Sequence, residues 1–294
     1  MIRDDAGSIL EDTDVFTVDM QKVIKLTFKE TVFTSRAICY NETFARLSSG
    51  TDLCVLWHEA IAGRNAEQVA SAYIKAVKLS GKKHIIFWVD NCTAQNKNWT
   101  LFTALLMCVN QPDGPESLTI RFLETGHTHM RADAIHGNIG RRLKKESEII
   151  CFDDLVDLCR QSGQDIEVCT MEFSDFFKFQ NHARNNTKKY QKPKMANIKE
   201  VIFTKGKDRM EIREGFFIGP MLESDFIANV RKPQLYTMPP RETAPRGITS
   251  KKRDGIIQIL RTNSQQDAKK FYETIPINGE SKDLCTDRTF SIAE

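Results

Sequence analysis

A chain of 294 residues, 40% apolar and 28% charged, has the composition of a globular protein that can bury a full core as one large domain or two modest ones. Its net charge of +3 is too small to mark a nucleic-acid binder by itself. No window approaches the ~18 uninterrupted apolar residues of a membrane span, and the acidic start, MIRDDAGSILEDTD, lacks the apolar segment of a signal peptide. A nuclear or cytoplasmic location is therefore expected. There the eight cysteines, none at CxxC spacing, serve as reduced, mostly buried thiols.

In chain order, VFTVDMQKVIKLT (15–27) alternates apolar and polar residues and predicts a strand. VFTSRAICYNETFAR (32–46) and DLCVLWHE (52–59) predict two more, across a turn-like SSGTD. AEQVASAYIKAVKLSG has a helical period, and Gly81 is its stop. Next comes KKHIIFWVDNCTAQNKNW (82–99), whose five apolar residues Ile85 to Val89 read as a strand buried on both faces that ends on Asp90. WTLFTALLMCVN predicts an apolar helix, LTIRFLETG (118–126) a fifth strand, and RADAIHGNIGRRLKKE an amphipathic helix weakened by Gly137 and Gly140. Beyond Glu146, FDDLVDLCRQSG reads as a helix and IEVCTM as a short strand. IKEVIFTKGKDRMEIREGFF predicts a β-hairpin turning at 205–208, before a proline-rich stretch and a polar tail.

Three strands joined by turns, followed by strands separated by helices, predict an α/β fold with a mixed five-stranded sheet and helices on both faces. This is the order of the ribonuclease H-like fold. The expected organisation is a ribonuclease H-like core over 1–180, a basic linker over 181–196, and a C-terminal mixed or β-rich extension over 197–294. The extension either packs on the core or forms a separate lobe. The linker belongs to a run from Lys178 to Lys199 with seven Lys or Arg and no acid; RRLKK (141–145) and SKKR (250–253) are shorter basic clusters. Such clusters serve phosphate contact or simply face solvent.

The blocks FTVDMQKV, WHEAIAGR, VDNCTAQNKN, FLETGHTHMRAD and HGNIGRRLKK resemble a family of transposase-like proteins of mobile elements, over residues 15–178. The resemblance implies a nuclease core of the DDE/D type. Its catalytic and metal-binding residues are Asp19 on the first strand, Asp90 at the end of the fourth, and Asp133 on the first turn of the helix after the fifth. Glu124 is the rival third acid, and Glu59 and Glu67 are candidate auxiliary acids. The implied cofactor is a pair of Mg²⁺ or Mn²⁺ ions, which carboxylates on rigid elements suit. Gln95, Asn96 and Asn98 are candidate nucleic-acid donors, or else an Asn-rich turn that satisfies its own backbone. His127 and His129 orient a phosphate, transfer a proton, or pack. His136 reads as a packing residue. Arg184, Lys188, Lys189, Lys192 and Lys194 are expected to hold the backbone of the nucleic acid.

The expected function is metal-dependent hydrolysis or strand transfer of DNA phosphodiesters by a transposase-derived protein. About a dozen residues precede the first strand, so an N-terminal DNA-reading module is not expected, and a truncated or domesticated copy is. The alternative is a catalytically inactive copy that acts as a nucleic-acid-binding or protein-interaction module. DNA is the expected partner. RNA and self-association are compatible with the fold, and a membrane is not expected.

Overall fold

The structure is a computed structural model that describes residues 11–26, 36–47, 50–124, 129–146, 148–188, 193–215, 219–228, 237–262 and 266–278. The strands are β1 (Thr13–Met20), β2 (Ile24–Lys25), β3 (Ile38–Arg46), β4 (Asp52–His58), β5 (His84–Val89), β6 (Ser117–Phe122), β7 (Ile166–Thr170), β8 (Glu200–Thr204), β9 (Met210–Arg213) and β10 (Leu222–Ser224). The helices are α1 (Ala66–Ser80), α2 (Trp99–Val109), α3 (Arg131–Lys145), α4 (Phe152–Arg160), α5 (Phe179–Asn186), α6 (Ser250–Thr262) and α7 (Gln266–Thr274).

Local chemistry sets several of these boundaries. Asn65 and Gln68 form a capping box at the start of α1, and Gly81 ends it in the left-handed region at φ 63°. Asn98 caps α2 by accepting the Leu101 N–H at 2.9 Å.

The five core strands take the spatial order β4-β3-β1-β5-β6. The pairs β1/β3 and β3/β4 are antiparallel, and β1/β5 and β5/β6 are parallel. Side chains alternate between two cores. Phe16, Val18, Tyr40, Phe44, Val55, Trp57, Phe87 and Val89 pack with α1, α2 and α5 on one face. Val15, Cys39, Ala45, Cys54, Leu56 and Trp88 pack with α3, α4, α6 and α7 on the other. Both faces are covered, so even β1, which alternates in sequence, is buried along almost its whole length.

The sheet is larger than the five strands expected. Among the described residues it has ten strands. β7 adds in parallel to the β4 edge, and β8 pairs antiparallel with β6 and continues into β9 and β10. The hairpin after residue 197 is therefore continuous with the core sheet. The expected linker over 181–196 begins inside α5, because Phe179, Ala183 and Asn186 are buried there. Further on, α6 and α7 complete the second core through Ile256, Leu260 and Tyr272. Among the described residues no helix is long and apolar enough to cross a membrane.

Candidate metal centre

Strands β1, β4, β5, β6 and β7 run the same way, so their C-terminal ends share one sheet edge. Asp19 lies near that end of β1, and Asp90 directly follows β5. Asp133 stands in the first turn of α3. Asp19 has the parity of Val15 and Thr17 and so faces α3, where the Ala132 N–H donates to the Thr17 hydroxyl at 3.2 Å.

One ligand atom from each of Asp19, Asp133 and His136 lies within 4.8 Å of the others. His136 Nδ1 is 3.5 Å from Asp19 Oδ2, and its Nε2 is 3.0 Å from the Thr43 hydroxyl, so both ring nitrogens are oriented. Asp133 Oδ2 accepts the Met130 N–H at 2.6 Å and has His129 Nδ1 at 3.4 Å. The three side chains are partly accessible, with relative exposures of 23% for Asp19, 37% for Asp133 and 12% for His136. Solvent and a ligand can therefore reach them. His136, expected to be a packing residue, joins the cluster because it follows Asp133 by about one helical turn on the face pressed to the sheet.

Asp90 is not one of these three. Its Oδ1 accepts the Cys92 N–H at 3.0 Å and Asn96 Nδ2 at 2.8 Å. Asn96 Oδ1 in turn accepts the Tyr73 hydroxyl at 3.0 Å. Nearby, Lys97 Nζ donates to Asn91 Oδ1 at 2.9 Å and sits 4.5 Å from the centre of the Phe122 ring. Burial lowers the Lys97 ammonium to about 8, with a smaller push from Lys199.

Glu42 on β3 was not expected. It has the parity of Tyr40 and Phe44, so it lies on the face opposite Asp19, and it is fully buried. Neither of its carboxylate oxygens has a hydrogen-bond partner among the described residues. Burial, followed by the charges of Asp19 and Asp90, pushes its carboxyl well above the usual range.

The remaining expected residues divide clearly. Asn96 and Asn98 are committed within the loop: the first joins Asp90 to Tyr73, and the second caps α2 and donates to the carbonyls of Thr93 and Gln95. These bonds fit the Asn-rich turn that satisfies itself locally, the other reading of this stretch. Gln95 does line an open cavity. Glu59 is buried and paired with Lys252 at 2.9 Å, and Glu67 accepts the Gln180 N–H at 3.1 Å, so neither is a spare acid. Glu124 is exposed just after β6. Arg184 is exposed on α5, on the face away from α3, and Lys188 pairs with Asp225 at 3.3 Å. Lys194 is exposed just before Ala196, whose carbonyl accepts from Lys97 at 3.4 Å, which brings this end of the basic segment beside the Asp90 loop. His127, Lys189 and Lys192 lie outside the described residues.

Residues 72–213 match a family described as a domain of unknown function (DUF7869). The matched span runs from within α1 to the end of β9, so it holds Asp90, Asp133 and His136 but not Asp19 or Glu42. No curated protein and no solved structure matches the chain.

Proposed function

We propose that this chain is a ribonuclease H-like, transposase-derived core that hydrolyses or transfers DNA phosphodiesters with divalent metal ions at Asp19, Asp90 and Asp133, and that His136 joins them. The observation that carries the reading is the convergence of Asp19, Asp133 and His136 within 4.8 Å, from positions 114 residues apart in sequence (133 − 19). The strand order β4-β3-β1-β5-β6, with two antiparallel pairs followed by two parallel ones, supports it, since that is the ribonuclease H-like arrangement. A divalent ion would offset the repulsion between the carboxylates at this sheet edge.

The donor set fits such ions. Carboxylate oxygens suit hard divalent cations, and an imidazole beside them admits Mn²⁺ as readily as Mg²⁺. Asp19, Asp133 and His136 would hold one ion, and Asp90 with Asp19 a second. A bound pair of such ions supplies an activated water or hydroxyl and offsets charge on the leaving oxygen. Thr43 keeps the His136 ring turned toward Asp19. Asn96 and the Cys92 N–H hold the Asp90 carboxylate in place. His129, exposed beside Asp133, is placed to hand a proton to a departing oxygen.

Nicking of supercoiled DNA tests the reading. Mn²⁺ or Mg²⁺ should support cutting and EDTA should abolish it. Asp19→Asn, Asp90→Asn and Asp133→Asn should each slow cutting by on the order of a thousandfold, and Asp133→Asn should also weaken Mn²⁺ binding followed by electron paramagnetic resonance. Salt-sensitive DNA binding with no cutting by either ion would overturn the proposal and leave the inactive binding module in its place.

A further inference from the structure

A cavity of about 810 Å³ opens at the same sheet edge, between the segment after β4, the loop after Asp90, and the C-terminal segment around Arg246. Its lining includes Arg64, Arg246, Gln95, Asn65, Ile61 and Pro245. Backbone bonds build this wall: the Arg246 N–H donates to the Ile61 carbonyl at 3.1 Å, and Gly247 N–H to the Ala60 carbonyl at 2.8 Å. Gly247 is required there. Its φ is +76°, and a Cβ would meet the Asn278 nitrogen at 2.5 Å.

Both arginines line this cavity. A Cβ on Gly63 would stand 3.6 Å from the Arg246 guanidinium, and both arginines act electrostatically on the buried Tyr40 phenol. Among the described residues neither side chain has an ion pair with a carboxylate, and both are partly exposed. Glu242, on the cavity wall, is already paired with Lys178 at 3.2 Å. The first turn of α1 also borders the cavity, but Asn65 and Gln68 have already capped it. The free anion-binding capacity therefore belongs to the guanidiniums, whose planar donors match a phosphate.

The volume is that of a small-molecule site, far more than one phosphate needs. Apolar wall from Ile61 and Pro245 next to the amides of Gln95 and Asn65 suits a planar, heteroatom-edged ring. We propose that this cavity seats one nucleotide of a single DNA strand, its phosphate on Arg64 and Arg246 and its base inside, beside the loop that carries Asp90. The nucleotide's place next to the scissile bond rests on the nuclease reading; its binding does not.

Binding to a fluorescein-labelled single strand of about ten deoxynucleotides, followed by anisotropy in EDTA, tests the cavity without the metal site. Arg64→Gln/Arg246→Gln should weaken binding about tenfold or more and make its salt dependence shallower. Ala94→Glu puts a carboxylate at an exposed lining position, keeps both arginines, and should weaken it likewise. Lys82→Gln/Lys83→Gln removes the same two charges at the start of β5, the opposite sheet edge, and should change it by less than about threefold. Equal losses in the two double variants, or no binding by the unaltered protein, would overturn the proposal. Metal-dependent cutting in which the arginine variant keeps an unchanged KM would overturn the cavity alone. Strand binding that follows the expected pattern, with no cutting under any metal, would uphold the cavity and remove only the nuclease reading.

Discussion

Asp90 ends an apolar strand, and the residues after it hold its carboxylate through Cys92, Asn96 and Tyr73. The positions of Asp19, Asp90 and Asp133 were legible in the sequence because each stands where strand order or a helix start places it. His136 was less so, since a residue three beyond Asp133 meets the sheet only at a particular helix tilt. Glu42 was not legible at all: an acid in a strand reads as facing solvent, but this sheet is covered on both sides. His58 carries a consequence of the same burial. It is 7% exposed, with its ring 5.0 Å from Phe152 and 5.5 Å from Phe271, and burial lowers it to about 4 from an ordinary 6.5. The unfolded chain therefore takes up a proton between those values and the folded chain does not. Stability is fully present above about 6.5 and is lost as pH falls toward 4, by roughly 2 kcal/mol between pH 8 and pH 5. Urea midpoints at the two pH values should show this loss, and His58→Leu should remove it. An equally steep fall in the variant would assign the loss to other groups.

At the scale of elements, the helices over 66–80, 99–109 and 131–145 are those that periodicity and capping predicted. Each carries its own punctuation, such as Gly81 after α1. The strand at 166–170 and the hairpin at 200–213 were legible, but their joining to the core sheet was out of reach for a physical reason. Whether β7 joins β4, or β8 joins β6, depends on edges formed by residues far away in sequence. In the basic stretch, Arg184 and Lys194 are exposed while Phe179 and Ala183 anchor α5 to the core. In α3 the two glycines weaken the helix without a packing reason, because a Cβ at Gly137 or Gly140 would meet nothing within 4 Å. Gly137→Ala and Gly140→Ala should each raise stability by about 0.5–1 kcal/mol. Thermal melts in EDTA read this directly, and a fall in the midpoint would mean that the backbone there is not plain helix.

At the scale of the whole molecule, the C-terminal helices are part of the core, and the segments that flank them, around Arg246 and at Asn278, line the cavity. A buried ion pair ties α6 to the end of β4. Lys252 of α6 and Glu59 after β4 are 3% and 5% exposed and 2.9 Å apart, and the same Glu59 oxygen accepts the Ile38 N–H at 2.8 Å. Losing the cation leaves a buried carboxylate that keeps only a backbone donor, so Lys252→Met should cost about 3–5 kcal/mol. In the double variant Glu59→Gln/Lys252→Met no charge is buried, and the glutamine oxygen can still accept from Ile38. That variant should regain most of the loss and come within about 1 kcal/mol of the unaltered protein. Urea unfolding followed by both tryptophan fluorescence and far-ultraviolet circular dichroism would separate two architectures. Coincident transitions that shift together in Lys252→Met mean that sheet and C-terminal helices unfold as one unit. An early transition confined to part of the helical signal, with the tryptophan transition unmoved, would make α6 and α7 an appendage, because Trp57 and Trp88 sit within the central sheet.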